Sequence, residues 1–229
     1  MNKKTMYTIL IILGVALIIW FLYSWLSVRA IEEPKYEVVT TAEGYEIREY
    51  ASYIIAETTI SGAKDRDEAA RKGFPIVAGY IFGDNTSKDK IAMTAPVNTE
   101  AGESEKIAMT APVNTEKIAM TVPVNTEQEK ADGTYKISFV MPSEYTLETL
   151  PIPNDSRVSI KEVPSHKVAV KRFTWSVSES AVKAQEEALL TALARDGVET
   201  VGAINVARYN PPWTMPFMLR NEVQVEVEL

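Results

Sequence analysis

Residues 36–83 read YEVVTTAEGYEIREYASYIIAETTISGAKDRDEAARKGFPIVAGYIFG. Two kinds of pattern meet in this stretch. Residues 36–41 and 45–50 form β-rich runs on either side of Glu43-Gly44, which predicts a hairpin, and residues 52–60 form a third strand. The period then changes. Ala70, Phe74, Val77 and Ile81 fall at i, i+4, i+7 and i+11, one face of an α-helix over residues 67–82. Asp65 or Asp67 can cap its start, and Gly83 suits its end. Pro75 removes one helical hydrogen bond, so a kink or two abutting segments are expected.

Downstream the same grammar recurs. A second helix is expected over residues 178–196. Ser176-x-x-Glu179 reads as a capping box, Gly197 follows the last turn, and Val182, Leu189 and Leu193 mark the buried face. Further strands are expected at 135–141, 158–163, 167–173, 203–209 and 222–227. The order β-β-β-α-β-β-β-β-α-β-β implies an α+β fold with a mainly antiparallel sheet, not a doubly wound parallel one.

An internal repeat interrupts this order. Residues 90–100 read KIAMTAPVNTE, residues 106–116 are identical, and residues 117–127 differ only at Val122. Offsets of 16 and 11 fit no solenoid period. Within a copy the apolar residues alternate, so one copy can be a half-buried strand, and its proline confines it to an edge or a bulge. Duplication of a strand-loop segment is the plain reading; a methionine-rich face that contacts haem or metal is the functional one. The third copy, close to residues 135–141 in the chain, is expected to pair with them.

Working toward the N-terminus, residues 5–28 carry no charge. As a helix at roughly 1.5 Å per residue they reach about 36 Å, enough to cross a hydrocarbon core of about 30 Å. Trp20, Tyr23 and Trp25 cluster where an interfacial aromatic belt belongs. A cleaved signal peptide is the competing reading, with Val28-Arg29-Ala30 as a loose cleavage site, but the apolar run is long for one. An uncleaved anchor over residues 1–29 is therefore expected, followed by one domain over residues 30–229. Lys3 and Lys4 favour a cytoplasmic N-terminus and an extracytoplasmic domain; Arg29 and Lys35 act against that bias.

The chain has 229 residues, 24 basic and 31 acidic, one histidine and no cysteine. Lys3 and Lys4 are the only charges before Arg29, so the rest holds 22 basic and 31 acidic residues, net −9. Such a domain is not expected to bind nucleic acid. Without cysteine there is no disulfide, thiolate metal site, cysteine nucleophile or covalent c-type haem. No G-x-S-x-G, phosphate-binding loop or H-E-x-x-H is present, so no enzyme activity is expected. His166, the one imidazole, stands at the start of a strand among charged neighbours and reads as a surface histidine. Glu186-Glu187 and Asp65 with Asp67 read as helical surface.

KIAMTAPV, preceded by AGYIFG (78–83), resembles the SOUL haem-binding family. The likeness continues through YEIREY (45–50), FVMPSEYTLETLP (139–151) and YNPPWTMPFMLRNEV (209–223), in the family's order and over about residues 34–229. It implies a distorted antiparallel β-barrel of two β-β-α-β-β halves, each with a packed helix. It also implies non-covalent binding of haem or another tetrapyrrole in a largely apolar groove beside the first helix. Some animal members carry a histidine, proposed as the axial ligand, where this chain has Glu49, and His166 does not match that position. The iron ligand is left open.

A porphyrin needs apolar walls, and cations or amides for its propionates. Phe74, Val77 and Ala78 can form a wall. Arg71 matches a basic residue that the family places beside the groove and can pair with a propionate, with Lys72 second. Met93, Met120 and Met141 can contact ring or iron, and a methionine or tyrosine ligand is chemically possible. Tyr209 can face the groove. Each has a plainer reading: core packing for Phe74, Val77 and the methionines, a solvated helix face for Arg71. At the C-terminal end Asn210-Pro211-Pro212 forces an extended turn, after which Arg220-Asn221-Glu222 can fix the last strand by charge-assisted hydrogen bonds.

The expected function is that of a membrane-anchored tetrapyrrole carrier, buffer or sensor. Two other classes stand beside it. The SOUL fold resembles bacterial effector-binding domains that take apolar cations, for which Glu49 or Glu222 would have to point into a pocket. A protein-interaction scaffold would use the repeat loop and have no cavity. The oligomeric state is not legible.

Overall fold

The computed structural model describes residues 2–26, 31–87, 115–130, 133–211 and 213–228. An N-terminal helix, α1 (Lys3–Leu26), precedes a domain of strands and two further helices. In chain order these are β1 (Tyr36–Ala42), β2 (Tyr45–Tyr50), β3 (Tyr53–Ile60), α2 (Arg66–Ile81), β4 (Asn85–Thr86), β5 (Val124–Lys130), β6 (Thr134–Val140), β7 (Ile152–Pro153), β8 (Ser159–Val163), β9 (His166–Phe173), α3 (Glu179–Asp196), β10 (Glu199–Arg208) and β11 (Asn221–Glu228). The expected order is present. The two-residue strands β4 and β7 were too short to show a period; they pair only with each other.

Nine strands form one antiparallel sheet in the order β1-β2-β9-β11-β10-β5-β6-β3-β8. β2 and β3 are consecutive in sequence yet lie six places apart, as do β8 and β9. A flat sheet would separate each pair by about 29 Å at roughly 4.8 Å per strand. The links Ala51-Ser52 and Pro164-Ser165 span at most about 11 Å from strand end to strand end. The sheet must therefore curl until its two ends approach. It does not close: no ladder joins β1 or β2 to β3 or β8. This corrects the expected barrel to an open, curled sheet.

Each helix covers one half of the same face. α2 packs on β3 and β6, where Val77, Tyr80 and Ile81 meet Ala56, Ile137, Phe139 and Leu150. α3 packs on β9, β10 and β11, where Val182, Leu189 and Leu193 meet Ala169, Val206, Val223 and Val225. Asp65 caps α2 by accepting from the Glu68 N–H at 2.7 Å. α2 runs through Pro75 as one helix. Pro75 lies on the exposed side, where the freed carbonyl can meet water. α3 is capped by Ser178, which accepts from the Ala181 N–H, and not by Ser176. Ser176 accepts instead from the Ser178 N–H, one step outside the helix.

Met93 and the first two repeat copies up to residue 114 lie outside the described residues. In the third copy Lys117–Met120 is not a strand, Thr121 makes one bridge to Glu32, and the ladder begins at Val124 after Pro123. A whole copy is thus not one strand. Proline cannot donate to a ladder, and only the residues after it pair with β6 and β10.

Candidate functional site

The outer face of α2 is the first candidate. Its inward residues are committed to the core: Val77 is fully buried and Ala78 nearly so. Val77 packs against the sheet in the core cluster. Phe74 is 40% exposed, with its ring 5.2 Å from that of Phe139, so one face rests on the core and the other is free. Pro75 is exposed, and so is Phe82. Arg71 is exposed on this helix and, among the described residues, makes no ion pair; Lys72 is drawn to Glu68 at 3.0 Å. The helix therefore presents an apolar strip beside an uncommitted guanidinium.

The second candidate is a cleft of about 560 Å³ at one end of the sheet. Tyr53, Ile54, Val140, Met141, Pro142 and Leu147 supply much of its wall. Its lining also carries Glu32, Glu33, Glu148 and Glu162 against Lys35. Tyr145 also lines it; a hydrogen bond to Glu116, with burial added, pushes its hydroxyl up to about 12. Burial, with Tyr50 and Glu226 nearby, does the same for Tyr53. Both phenols hold their protons, so neither is a ready phenolate ligand.

Tyr209 belongs to neither surface. It lies in a buried ionic cluster around Glu222, which is fully buried. Arg48 Nη1 meets both Glu222 oxygens at 3.1 and 3.2 Å, Arg220 Nε donates at 3.0 Å, the Tyr209 hydroxyl at 2.8 Å and Gln224 Nε2 at 2.9 Å. Arg220 stacks over the Tyr209 ring and also grips Glu33 at 2.8 Å. Burial pushes the Glu222 carboxyl up, but Arg220, Arg48, Tyr209 and Gln224 together hold it below its ordinary value. Burial and the Glu222 charge raise the Tyr209 hydroxyl well above its ordinary value. Glu222 does point inward, but its oxygens are saturated and offer nothing to a cationic ligand. Glu49 is exposed on β2.

Of the sequence-derived residues, Arg71 and Phe74 come together on the outer face of α2. Met141 is buried and lines the cleft, Met120 is exposed on the chain's route into β5, and Tyr209 sits in the buried cluster around Glu222. The part of the cleft wall formed by Tyr145 and Leu147 was missed as a site. Its only signal was the block at residues 139–151, which marks a family without saying which side chains line a surface. His166 is half-buried, stacked on Tyr50 at 5.9 Å and tilted against Tyr53 at 5.8 Å.

Comparison with known proteins now places the fold. The model of the family described as SOUL heme-binding protein matches residues 31–226. "Heme-binding protein 2" of Homo sapiens is 29% identical over 195 residues, covering 81% of this chain and 82% of that protein. The protein of the same name from Mus musculus is 28% identical over 170 residues, covering 72% and 69%. Among solved structures the C-terminal domain of EcmrR superposes with a TM-score of 0.55 at 9% identity, over 84% of this chain and 98% of that one. At that identity the likeness is one of fold. The chain belongs to the SOUL heme-binding protein family.

Proposed function

We propose that the domain binds haem or a related tetrapyrrole reversibly and without covalent attachment, on the outer face of α2. Membership in the SOUL family, with relatives named for haem binding, supports the ligand class. The observation that carries the site is the pairing of exposed Phe74, Pro75 and Phe82 with the unpaired Arg71 on one helix. A tetrapyrrole is an apolar plate with carboxylates at its edge. Phe74 and Phe82 suit the plate, and Arg71 suits a propionate. Bound haem would supply its iron and its absorbance; the protein's part is to shield the ring and hold its charge. The protein serves as a carrier, buffer or sensor without turnover. Its apolar α1 holds it at a membrane, with the N-terminus cytoplasmic and the domain on the opposite side.

Haem titration of the full chain in detergent, followed by absorbance, tests this. A saturable Soret shift that weakens roughly five-fold in Arg71→Ala is expected, matching about 1 kcal/mol for a partly solvated charge-assisted contact. No spectral change, or partitioning that never saturates, overturns it.

One observation favours a second reading. The cleft lining combines apolar and aromatic side chains with four carboxylates against one ammonium, which suits an apolar cation better than a dicarboxylate. Tetraphenylphosphonium used as the probe would then bind with one-to-one stoichiometry, and Tyr53→Ala would weaken it.

A further inference from the structure

We infer that the domain rests on the bilayer through a second surface beside α1, an aromatic patch made by Trp175, Trp213 and Phe217. The inference builds on the reading of α1 as a membrane span. The three side chains are 61%, 54% and 51% exposed, far more than large aromatic residues of a solvated domain need be. Trp175 and Phe217 lie with ring centroids 6.4 Å apart. Trp175 takes φ 70°, a left-handed conformation that bulky residues avoid. Its N–H, bonded to the Pro216 carbonyl at 3.0 Å, ties it to the loop that carries Phe217. The backbone is thus held in a costly shape that leaves an indole outside.

Two independent links put this loop at the membrane end of α1. The Trp20 indole N–H donates to the Trp213 carbonyl at 2.8 Å, and the Met215 N–H donates to Ser24 Oγ at 3.3 Å. Trp20 stands six residues before Leu26, about 9 Å along the helix. In a spanning α1 centred on a hydrocarbon core of about 30 Å it lies roughly 6 Å inside the boundary, and the Trp213 carbonyl, capped by the indole N–H, shares that depth. The covalent route agrees. Four residues separate Leu26 from Ile31, five steps with a reach of at most about 18 Å. Glu33, just beyond, is clamped to Arg220, which follows the same loop.

The chemistry selects the lipid interface as the occupant. Indole and phenyl rings favour the headgroup–acyl boundary. A domain of net −9 gains nothing from anionic lipid, so the contact is apolar and independent of lipid charge. Glu32 to Lys35, which line the cleft, follow directly after the tether, so this part of the cleft lies close to the bilayer.

The absence of cysteine makes the test direct. Full-length Trp175→Cys and Phe217→Cys, each labelled with nitrobenzoxadiazole, are reconstituted into phosphatidylcholine vesicles. Emission should shift to the blue and be quenched more by shallow than by deep spin-labelled phosphatidylcholine, unchanged by added phosphatidylserine. Labels that stay unquenched while the protein floats with the vesicles overturn the docking surface and leave the anchor standing. A protein that does not float with vesicles overturns both.

Discussion

Glu222 shows what one side chain can hold. It is fully buried, and two guanidiniums, a phenol and an amide converge on it. Removing its charge leaves Arg48 and Arg220 in a nearly dry site with only their outer partners, Glu46 and Glu33. Glu222→Gln should cost on the order of 3–5 kcal/mol, read as a lower urea midpoint at pH 7. The acid response follows from the same contacts. The folded carboxyl titrates below its ordinary 4.5, so the unfolded chain takes up the proton first. Its contribution is complete above about pH 4.5 and is lost as pH falls through the depressed value. The wild-type urea midpoint should drop steeply across that window, and Glu222→Gln should flatten the drop. Glu127 has the opposite sign. Burial raises its carboxyl, so at pH 7 its charge opposes folding, and Glu127→Gln should raise the thermal midpoint. That Arg220 and Glu222 help fix the last strand was legible, because they stand two residues apart at its start. Arg48 lies 174 residues away, and no spacing announces it.

At the scale of elements, α2 is held by a close approach as well as by its apolar stripe. A methyl group on Gly73 would lie 2.8 Å from Ile137 Cδ1 and Cγ1. Gly73→Ala therefore sets about 1–3 kcal/mol of overpacking against about 1 kcal/mol of helix propensity. A net loss of stability is expected in thermal denaturation, partly restored by Ile137→Val. The helix itself was readable from Ala70, Phe74, Val77 and Ile81, and its Asp65 cap was one of two offered. The reading misassigned the stripe in part. Phe74 belongs to the stripe by spacing yet keeps 40% of its surface, because periodicity gives an angle around the axis and not how far the neighbouring sheet extends. The cap of α3 moved from Ser176 to Ser178 for a similar reason. Two serines two residues apart both satisfy a local rule, and packing against β9 to β11 decides where the first turn begins.

For the whole molecule, charge and topology set the behaviour. A domain of net −9 repels dicarboxylate tetrapyrroles at a distance, while Arg71 attracts them at contact. Haem association measured by stopped flow should therefore quicken with salt as the long-range repulsion is screened, and Arg71→Ala should affect dissociation more than association. The strand and helix order, the apolar N-terminal helix and the acidic balance were determined by the sequence alone, since each depends on residues near one another in the chain. The curl of the sheet, its failure to close, the saturation of Glu222 and the gathering of Trp175, Trp213 and Trp20 were decided only by tertiary structure. Each depends on which distant segments meet, and two-residue links between strands six places apart constrain that meeting more tightly than any local pattern can reveal.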